Sequence, residues 1–225
     1  FLVSNIRGAF TILDIITKQK KRMIQISTDE VFGSLSNGTA VEDSKFNPSS
    51  PYAATKAAAE LLVHSYSVTH NSDVIITRCT NNYGPRQFAE KLIPKTIILA
   101  SQNKKIPIYG KGTNVRDWIY VDDHCDAVLL ALLNGKTGES YNISANNEID
   151  NLTIVKKILE IMNKPENLIE FVEDRPGHDL RYSLDSTKIH DQLGWKVKTA
   201  FDDGLKKTVQ WYVDNPELLN NTSST

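Results

Sequence analysis

Residues 23–33 read MIQISTDEVFG, and this stretch decides the fold. The apolar run at 23–26 is typical of a buried strand, and it breaks abruptly into the polar residues 27–30. In sheets of parallel strands, ligands bind outside the carboxyl ends of the strands, which is where residues 27–30 are expected. A polar cluster at a strand end is nevertheless more often a turn or a helix cap, so position alone leaves both interpretations open.

Composition narrows the class of protein. The 225 residues are 40% hydrophobic, enough for a real core, and 26 basic against 27 acidic residues give a net charge of -1. A basic excess suited to nucleic acid is therefore missing, and the apolar run at 92–100 is too short and too interrupted for a membrane span. Two cysteines without CxxC spacing favour a reducing, cytoplasmic location, and five histidines without ligand spacing predict no metal.

Strand and helix patterns alternate along the chain. Strands are predicted at 23–27, 73–79, 106–109, 117–121, 140–143 and 168–172, and helices at 51–69, 90–102, 122–133, 152–162, 187–193 and 201–213. This alternation indicates an α/β fold, a parallel sheet with helices on both faces. The chain opens without Met on a helical pattern at 1–17, so we expect it to begin inside a helix as a fragment, and it closes on a polar tail.

The predicted helix at 51–69 carries a reactive pair. Ser50 suits the N-cap and Pro51 the first turn, and Tyr52 and Lys56 lie four residues apart, hence on one face. A neighbouring ammonium favours a phenolate, so Lys56 is expected to lower the pKa of Tyr52 and let it remove a proton. A YxxxK pattern alone is a weak signal. It becomes much more specific when it follows a strand that ends in Ser-Thr.

Five ordered motifs together resemble the extended short-chain dehydrogenase/reductase family, and within it the 4,6-dehydratases of nucleotide sugars. They are STDEVFG, PYAATK, RCTNNYGPRQFAEKLIP, RDWIYVDDH and DRPGHDLRY, and the likeness runs over about 1–215. The resemblance implies a Rossmann-like doubly wound parallel sheet, NAD as cofactor and a smaller carboxyl-terminal α/β domain for a nucleotide-diphosphate sugar. The family's glycine-rich amino-terminal region, about three βαβ units, has no counterpart here.

The domain limits follow from the same resemblance. Residues 1–85 would be the remainder of the NAD-binding domain and 86–215 mainly the substrate domain. Residues 117–145 would return to the NAD-binding domain, and 216–225 would form the polar tail.

The adjacent acids Asp29 and Glu30 separate dehydration from its alternatives. Removing water needs a base for the C5 proton and a protonated acid for the leaving C6 hydroxyl, and paired carboxylates with split pKa values supply both. Consecutive strand residues face opposite sides, so the two acids can cooperate only if the backbone turns there, which Gly33 makes plausible. By resemblance, Thr28 holds the C4 hydroxyl, Asp29 is the acid and Glu30 the base. Phe32 stands where the family usually has Tyr.

The same resemblance assigns the remaining catalytic and cofactor roles. Tyr52 would start the oxidation, Lys56 would also contact the nicotinamide ribose, and Asn5 would support the catalytic water and the lysine. The cofactor-binding set implied is Ser27, Tyr52, Lys56, Cys79 and Asn82.

The substrate-binding set implied is Thr28, Asn81, Glu90, Lys91, Leu92, Pro107, Ile108, Tyr109, Arg116, Asn151, Asp174, Arg175, Pro176, Gly177 and His178. Several of these have ordinary alternatives from sequence alone. An Asn pair at 81–82 is more typical of a turn, residues 107–109 could form an edge strand, and Lys91 could be a surface charge rather than a diphosphate ligand at a helix start. An Arg fork suits phosphate oxygens, and His178 suits a neutral hydrogen-bonding role. Ala89 stands where the family often has Pro.

Three functions stay open at this level. The first is the NAD-dependent dehydratase, and the second is a nucleotide-sugar 4-epimerase or decarboxylase, against which the two acids argue. The third is a catalytically silent binding or dimerisation module. By resemblance, the helices at 1–17 and 51–69 would form a homodimer interface, with Leu61 and Leu62 facing away from the sheet. Spacing does not set whether the base is thymine or uracil.

Overall fold

The computed structural model describes residues 1–175, 177–215 and 217. The helices are α1 Gly8–Gln19, α2 Pro51–His70, α3 Leu92–Ser101, α4 Val121–Asn134, α5 Asn151–Ile161, α6 Thr187–Leu193 and α7 Phe201–Asp214. The strands are β1 Met23–Thr28, β2 Val74–Cys79, β3 Asn81–Tyr83, β4 Ile106–Tyr109, β5 Val115–Tyr120, β6 Ser140–Ile143, β7 Glu148–Asp150 and β8 Ile169–Val172. A π-helical segment, Leu2–Arg7, leads into α1, and 3-10 turns cover Asp29–Phe32 and Glu166–Leu168. The tail predicted at 216–225 lies outside the described residues apart from Glu217.

The main sheet is parallel, in the order β1-β2-β6. Because successive strand residues point to opposite faces, β2 contributes to two cores. Val74 and Ile76 pack with Leu13 and Val63 beneath α1 and α2, whereas Ile75 packs with α4 and α6 on the other face. The predicted α/β class, with helices on both faces of a parallel sheet, is confirmed.

Two short strands depart from the sequence prediction. The local sequence favours a turn at 81–82, but Asn81–Tyr83 forms strand β3. This strand pairs in parallel with β5, and Asn81 lies opposite Trp118. β7 pairs with β5 in antiparallel fashion. Both strands have three residues and little local signal, so their extended conformation follows from pairing with β5. A third pair, β4 and β8, is parallel.

The α2 helix is fixed at both ends and along its length. Ser50 Oγ accepts a hydrogen bond from the Ala53 amide (3.1 Å), so the predicted N-cap is confirmed. At the other end, Asn71 in the left-handed conformation terminates the helix. In mid-helix, buried Glu60 pairs with Arg78 of β2, with 2.7 Å between Glu60 Oε2 and Arg78 Nη2. These contacts set where the first turn of α2 stands above the strand ends.

The outer faces of α1 and α2 differ from the prediction at one residue. Leu61 is 59% exposed, as expected of a residue that faces away from the sheet. Leu62 instead packs partly against the cluster of Leu13 and Val63, because the helix turns it toward α1. Within the described residues, no helix is long and apolar enough to cross a membrane.

Candidate active site

The polar stretch after β1 forms a tight turn. Thr28 caps the 3-10 turn Asp29–Phe32, because its Oγ1 accepts a hydrogen bond from the Glu30 amide (3.3 Å). Gly33 ends the turn with φ of 70°, and a Cβ there would lie 2.2 Å from the Asn47 carbonyl oxygen. Glycine is therefore required at this position. The backbone turn on which cooperation of the two acids depends is present.

Asp29 and Glu30 occupy different environments. Asp29 is 4% exposed and its Oδ1 accepts from Thr28 Oγ1 (3.2 Å), while Oδ2 has no partner among the described residues. Burial, then the charge of Glu30, raises the pKa of Asp29 to about 7. Glu30 lines the cavity described below, and burial raises its pKa while Arg116 and Lys91 oppose the rise. One of the pair is therefore a buried acid whose pKa lies near neutral pH, and the other is a carboxyl group that faces the cavity.

Tyr52 and Lys56 do not show the predicted pKa relationship. Burial, then the charge of Glu30, raises the pKa of Tyr52 to about 12. The Lys56 ammonium donates to the Ile26 carbonyl oxygen (2.6 Å), and burial lowers the pKa of Lys56. The expected lowering of the Tyr52 pKa by Lys56 is wrong for the protein alone, because burial and the charge of Glu30 raise it and Lys56 is not among the main influences on it.

Asn5 braces the first turn of α2. Its Nδ2 donates to Thr55 Oγ1 (2.9 Å), and that hydroxyl donates to the Tyr52 carbonyl oxygen (2.8 Å). Asn5 lies in the π-helical segment before α1, a geometry that often occurs at functional sites. Its contact ties the two helices together close to Tyr52.

The cofactor set predicted from sequence clusters at the ends of β1 and β2. Asn82 Nδ2 donates to Cys79 Sγ (3.3 Å), and Cys79 Sγ lies 3.7 Å from the Ser27 carbonyl oxygen. Burial raises the pKa of Cys79 to about 12, so the group is a neutral thiol. Ser27 Oγ and Asn82 Oδ1 are buried without a partner among the described residues. Such unpaired polar atoms fit a bound cofactor that would hydrogen-bond to them.

A cavity of about 500 Å³ opens beside these strand ends. It brings together thirteen of the residues predicted to bind substrate or catalyse: Glu30, Asn81, Glu90, Lys91, Leu92, Pro107, Ile108, Tyr109, Arg116, Asn151, Arg175, Gly177 and His178. Thr28 and Asp29 lie behind the wall at Glu30, and Asp174 contacts the wall through His178. Pro176 lies outside the described residues.

Arg116 supplies a buried positive charge to the cavity wall. It is 8% exposed, and its guanidinium donates to the carbonyl oxygens of Val115 (2.7 Å), Asp179 (2.9 Å) and Leu180 (3.2 Å). The guanidinium stacks 4.4 Å from the Tyr182 ring centre. Burial lowers the pKa of Arg116, and no carboxylate of the described residues forms an ion pair with it. Among the described residues, the wall thus presents a cation that has no direct ion-pair partner, although the charges of Asp29, Glu30 and Asp179 favour its ionised form.

Arg175, Gly177 and His178 line a further part of the cavity. His178 Nδ1 lies 2.7 Å from Asp174 Oδ1, and Arg175 Nη2 lies 3.0 Å from His178 Nε2. Because the guanidinium can only donate, Nε2 accepts and Nδ1 carries the proton, which gives a neutral imidazole. Arg175 also stacks 5.1 Å from the Tyr109 ring centre. The predicted neutral role of His178 agrees with this geometry.

Sequence reasoning missed part of the cavity lining: Ser50, Gln87, Lys95, Trp118, Asp179 and Tyr182. Four of these had a usable signal because they stand in quoted motifs: Gln87 in RCTNNYGPRQFAEKLIP, Trp118 in RDWIYVDDH, and Asp179 and Tyr182 in DRPGHDLRY. Lys95 also had one, because it lies one helical turn after Lys91. Trp118 enters the wall through its pairing with Asn81, which local sequence does not reveal.

The fold and the site together define an α/β enzyme of the dehydrogenase type, with a Tyr-Lys pair on a helix and paired acids at a strand end. The chain belongs to the GDP-mannose 4,6 dehydratase family, whose model matches residues 1–208.

Known proteins of this kind align over most of the chain. A dTDP-glucose 4,6-dehydratase of Haemophilus influenzae is 46% identical over 247 residues, which cover 100% of this chain and 72% of the relative. A crystal structure of a dTDP-glucose 4,6-dehydratase of Streptomyces venezuelae, with NAD bound, has a TM-score of 0.93 at 42% identity and covers 95% of this chain and 67% of its own. A UDP-glucuronic acid 4-epimerase of Bacillus cereus has a TM-score of 0.91 at 28% identity, over 96% and 69%. The chain therefore spans about two thirds of the length of these proteins.

Proposed function

We propose that the protein dehydrates dTDP-glucose to dTDP-4-dehydro-6-deoxyglucose with NAD as cofactor. The observation that carries this proposal is the Asp29-Glu30 turn, where a buried acid with a pKa of about 7 adjoins a carboxylate that faces the cavity. A site that transfers hydride alone has no need of this pair, whereas elimination of water requires both members. The dehydratase relatives at 42–46% identity support the same assignment.

Bound NAD would supply a hydride acceptor for C4 of the sugar and a donor for C6, and its positively charged ring would oppose the raised pKa of Tyr52. Ser27, Lys56, Cys79 and Asn82 would hold it at the ends of β1 and β2. The unpaired buried oxygen atoms of Ser27 and Asn82 support this placement.

The side chains then divide the proton transfers. Tyr52 takes the C4 hydroxyl proton while Thr28 holds that oxygen. Glu30 removes the C5 proton, made acidic by the adjacent ketone, and Asp29 gives its proton to the C6 hydroxyl, which leaves as water. The proton held by Glu30 returns to C5 and the proton held by Tyr52 replaces the one that Asp29 gave up, so the side chains regain their starting states and the reaction is redox-neutral overall.

The remainder of the cavity suits a nucleoside diphosphate. Arg116 offers a guanidinium that forms no ion pair within the described residues, and Lys91 stands at the amino end of α3, where the helix dipole favours anions. Ile108 and Tyr109 offer an apolar strand and an aromatic ring to a base. We place the protein in the cytoplasm, in keeping with its free Cys79 and Cys125.

The direct test is incubation with NAD and dTDP-glucose, with products separated by mass spectrometry and NMR. A 4-keto-6-deoxy sugar nucleotide supports the dehydratase. Glu30→Gln is expected to lower turnover at least about a hundredfold while NAD affinity stays the same. The matched control is Glu160→Gln, an exposed acid on α5 outside the cavity, which should leave turnover unchanged. Unchanged turnover in Glu30→Gln would remove the base role.

A second candidate, a 4-epimerase, is favoured by the epimerase structure at a TM-score of 0.91. It predicts the C4 epimer and no loss of water in the same incubation. Binding of dTDP without any product would instead identify a silent binding module.

We also propose a homodimer through α1 and α2. Their outer faces expose several large apolar side chains, among them Phe10 (50%), Leu61 (59%) and Val68 (68%). Apolar surface of this kind favours association, and one shared patch would make the contact isologous. Light scattering should give twice the chain mass, and Leu61→Glu should reduce it to the monomer; the same mass in both proteins would contradict the assigned face.

A further inference from the structure

The Asp179 carboxylate connects two segments that are distant in sequence. Its Oδ2 accepts hydrogen bonds from Ser49 Oγ, which precedes α2, and from Tyr182 Oη (2.6 Å) in the cavity wall. Its main-chain oxygen accepts from Arg116 Nη2 (2.9 Å). One residue thus touches both the cation of the cavity and the segment that begins the helix of Tyr52.

The connection continues into α2 without a break. Ser49 is followed by Ser50, which lines the cavity and caps the helix through the Ala53 amide (3.1 Å). Tyr52 follows in the first turn of the same helix. A shift of Asp179 would therefore be passed to Tyr52 through a helix cap rather than through a flexible linker.

Backbone hydrogen bonds fix the position of the segment that follows Asp179. Residues 180–184 run between β5 and the segment 34–40, where the Val115 amide donates to the Leu180 carbonyl (2.8 Å) and the Leu35 amide to the Arg181 carbonyl (3.0 Å). Ser34 Oγ also accepts from the Leu180 amide (3.2 Å). The far end of the 34–50 segment is thus anchored to the backbone that follows Asp179 and makes no use of the Asp179 carboxylate.

We propose that Asp179 is a positioning residue that holds the amino end of α2 against the cavity, so that a nucleoside diphosphate bound at Arg116 steadies the placement of Tyr52. This inference rests on the proposed function for its ligand, but not for the hydrogen bonds that make the connection. Asp179 itself exchanges no proton in the reaction.

The test measures hydrogen exchange at the Ala54 and Thr55 amides, with and without dTDP as the probe. In the wild type, dTDP should slow exchange there several-fold. Ser49→Ala and Asp179→Asn should each abolish most of that slowing, because each breaks the hydrogen bond by which the Asp179 carboxylate holds the segment before α2. Ser34→Ala, which removes a serine from the same segment at its other end, should keep the wild-type protection.

Kinetics provide a second measurement. Ser49→Ala should lower kcat for dehydration by roughly tenfold, since Tyr52 is less well placed, while the Kd for dTDP changes by less than about threefold. Wild-type protection and kcat in Ser49→Ala would overturn the proposal. Equal losses in Ser34→Ala would overturn it too, because they would show a general loosening of the segment.

The outcome is separable from that of the proposed function. If dTDP does not bind the wild type, the substrate assignment fails and the coupling to ligand fails with it. Hydrogen exchange without ligand then tests whether Asp179 positions α2. Faster exchange at the Ala54 and Thr55 amides in Ser49→Ala than in Ser34→Ala supports this role, and equal rates overturn it.

Discussion

Arg78 and Arg116 are both buried, at 4% and 8% exposure, but the regions around them satisfy the charge in opposite ways. Arg78 donates from Nη2 (2.7 Å) and Nε (2.9 Å) to Glu60 Oε2, and its guanidinium stacks on the rings of Phe32 and Phe46. Among the described residues, Arg116 donates only to carbonyl oxygens, and it stacks on the ring of Tyr182.

The contrast separates a structural charge from a functional one. A buried cation that already has its carboxylate gains little from a further anion, so Arg78 serves to fasten α2 to β2. A buried cation held by carbonyl dipoles keeps most of its attraction for an anion, which a cavity can then use. Burial alone does not distinguish the two arginines, whereas the groups that contact each guanidinium do.

Breaking the Arg78 pair should produce the largest effect. Arg78→Met leaves Glu60 buried without its counter-ion and should lower the free energy of unfolding by about 3–5 kcal/mol, measured by urea denaturation. Combining Arg78→Met with Glu60→Leu should recover most of this loss, because no unpaired charge remains. A single variant as stable as the wild type would show that the pair does not fasten α2.

Asp29 extends the comparison to an unpaired buried acid. Its folded pKa of about 7 lies above the ordinary value of 3.8 for an aspartate, so the folded state binds the proton more tightly than the unfolded chain. The stability due to this group is complete below pH 4 and is lost as pH rises to 7, by at most about 4 kcal/mol. Asp29→Asn should remove that part of the pH dependence, so its advantage over the wild type should grow from pH 4 to 7 in urea denaturation. An advantage that does not change with pH would place the Asp29 pKa near its ordinary value.

Replacing Arg116 should impair ligand binding rather than stability, the reverse of replacing Arg78. Arg116→Met should weaken dTDP binding by about 2–3 kcal/mol, measured by calorimetry, because the diphosphate loses its charged donor. The free energy of unfolding should stay the same or rise, since a costly buried cation is removed. Arg116→Lys should restore part of the affinity, because it keeps the charge but not the fork. A loss of stability as large as that of Arg78→Met would mean that Arg116 is structural.

The parts of the site that depend on local chemistry could be predicted from the sequence. Ser50 and Pro51 mark the start of α2, the break after residue 26 marks the end of β1, and Gly33 marks a turn, because each acts on its own backbone. Most of the cavity lining was also reached, through motifs at the carboxyl ends of strands.

What the sequence did not foretell depends on distant partners. β3 and β7 exist because β5 offers its edges, and three residues carry too little pattern to announce it. The pKa of Tyr52 was expected to fall on the basis of one neighbour, yet burial and Glu30, features of the folded chain, raise it. The difference between Arg78 and Arg116 was likewise hidden, since it lies in which groups the fold brings to each guanidinium.

Lys91 gives the smallest expected effect and the sharpest contrast with Arg116. It is exposed, with water already around its ammonium, so its attraction for a diphosphate is weakened by solvent and by salt. Lys91→Ala should weaken dTDP binding by only about threefold at low ionic strength, with the exposed lysine variant Lys206→Ala on α7 as the unaffected control. Near 1 M salt the Lys91→Ala difference should vanish, because charges are then screened within about 3 Å, while the Arg116→Met loss should persist behind its buried wall. If both losses faded equally with salt, the guanidinium of Arg116 would meet its ligand in water, and burial would not be what sets it apart from Lys91.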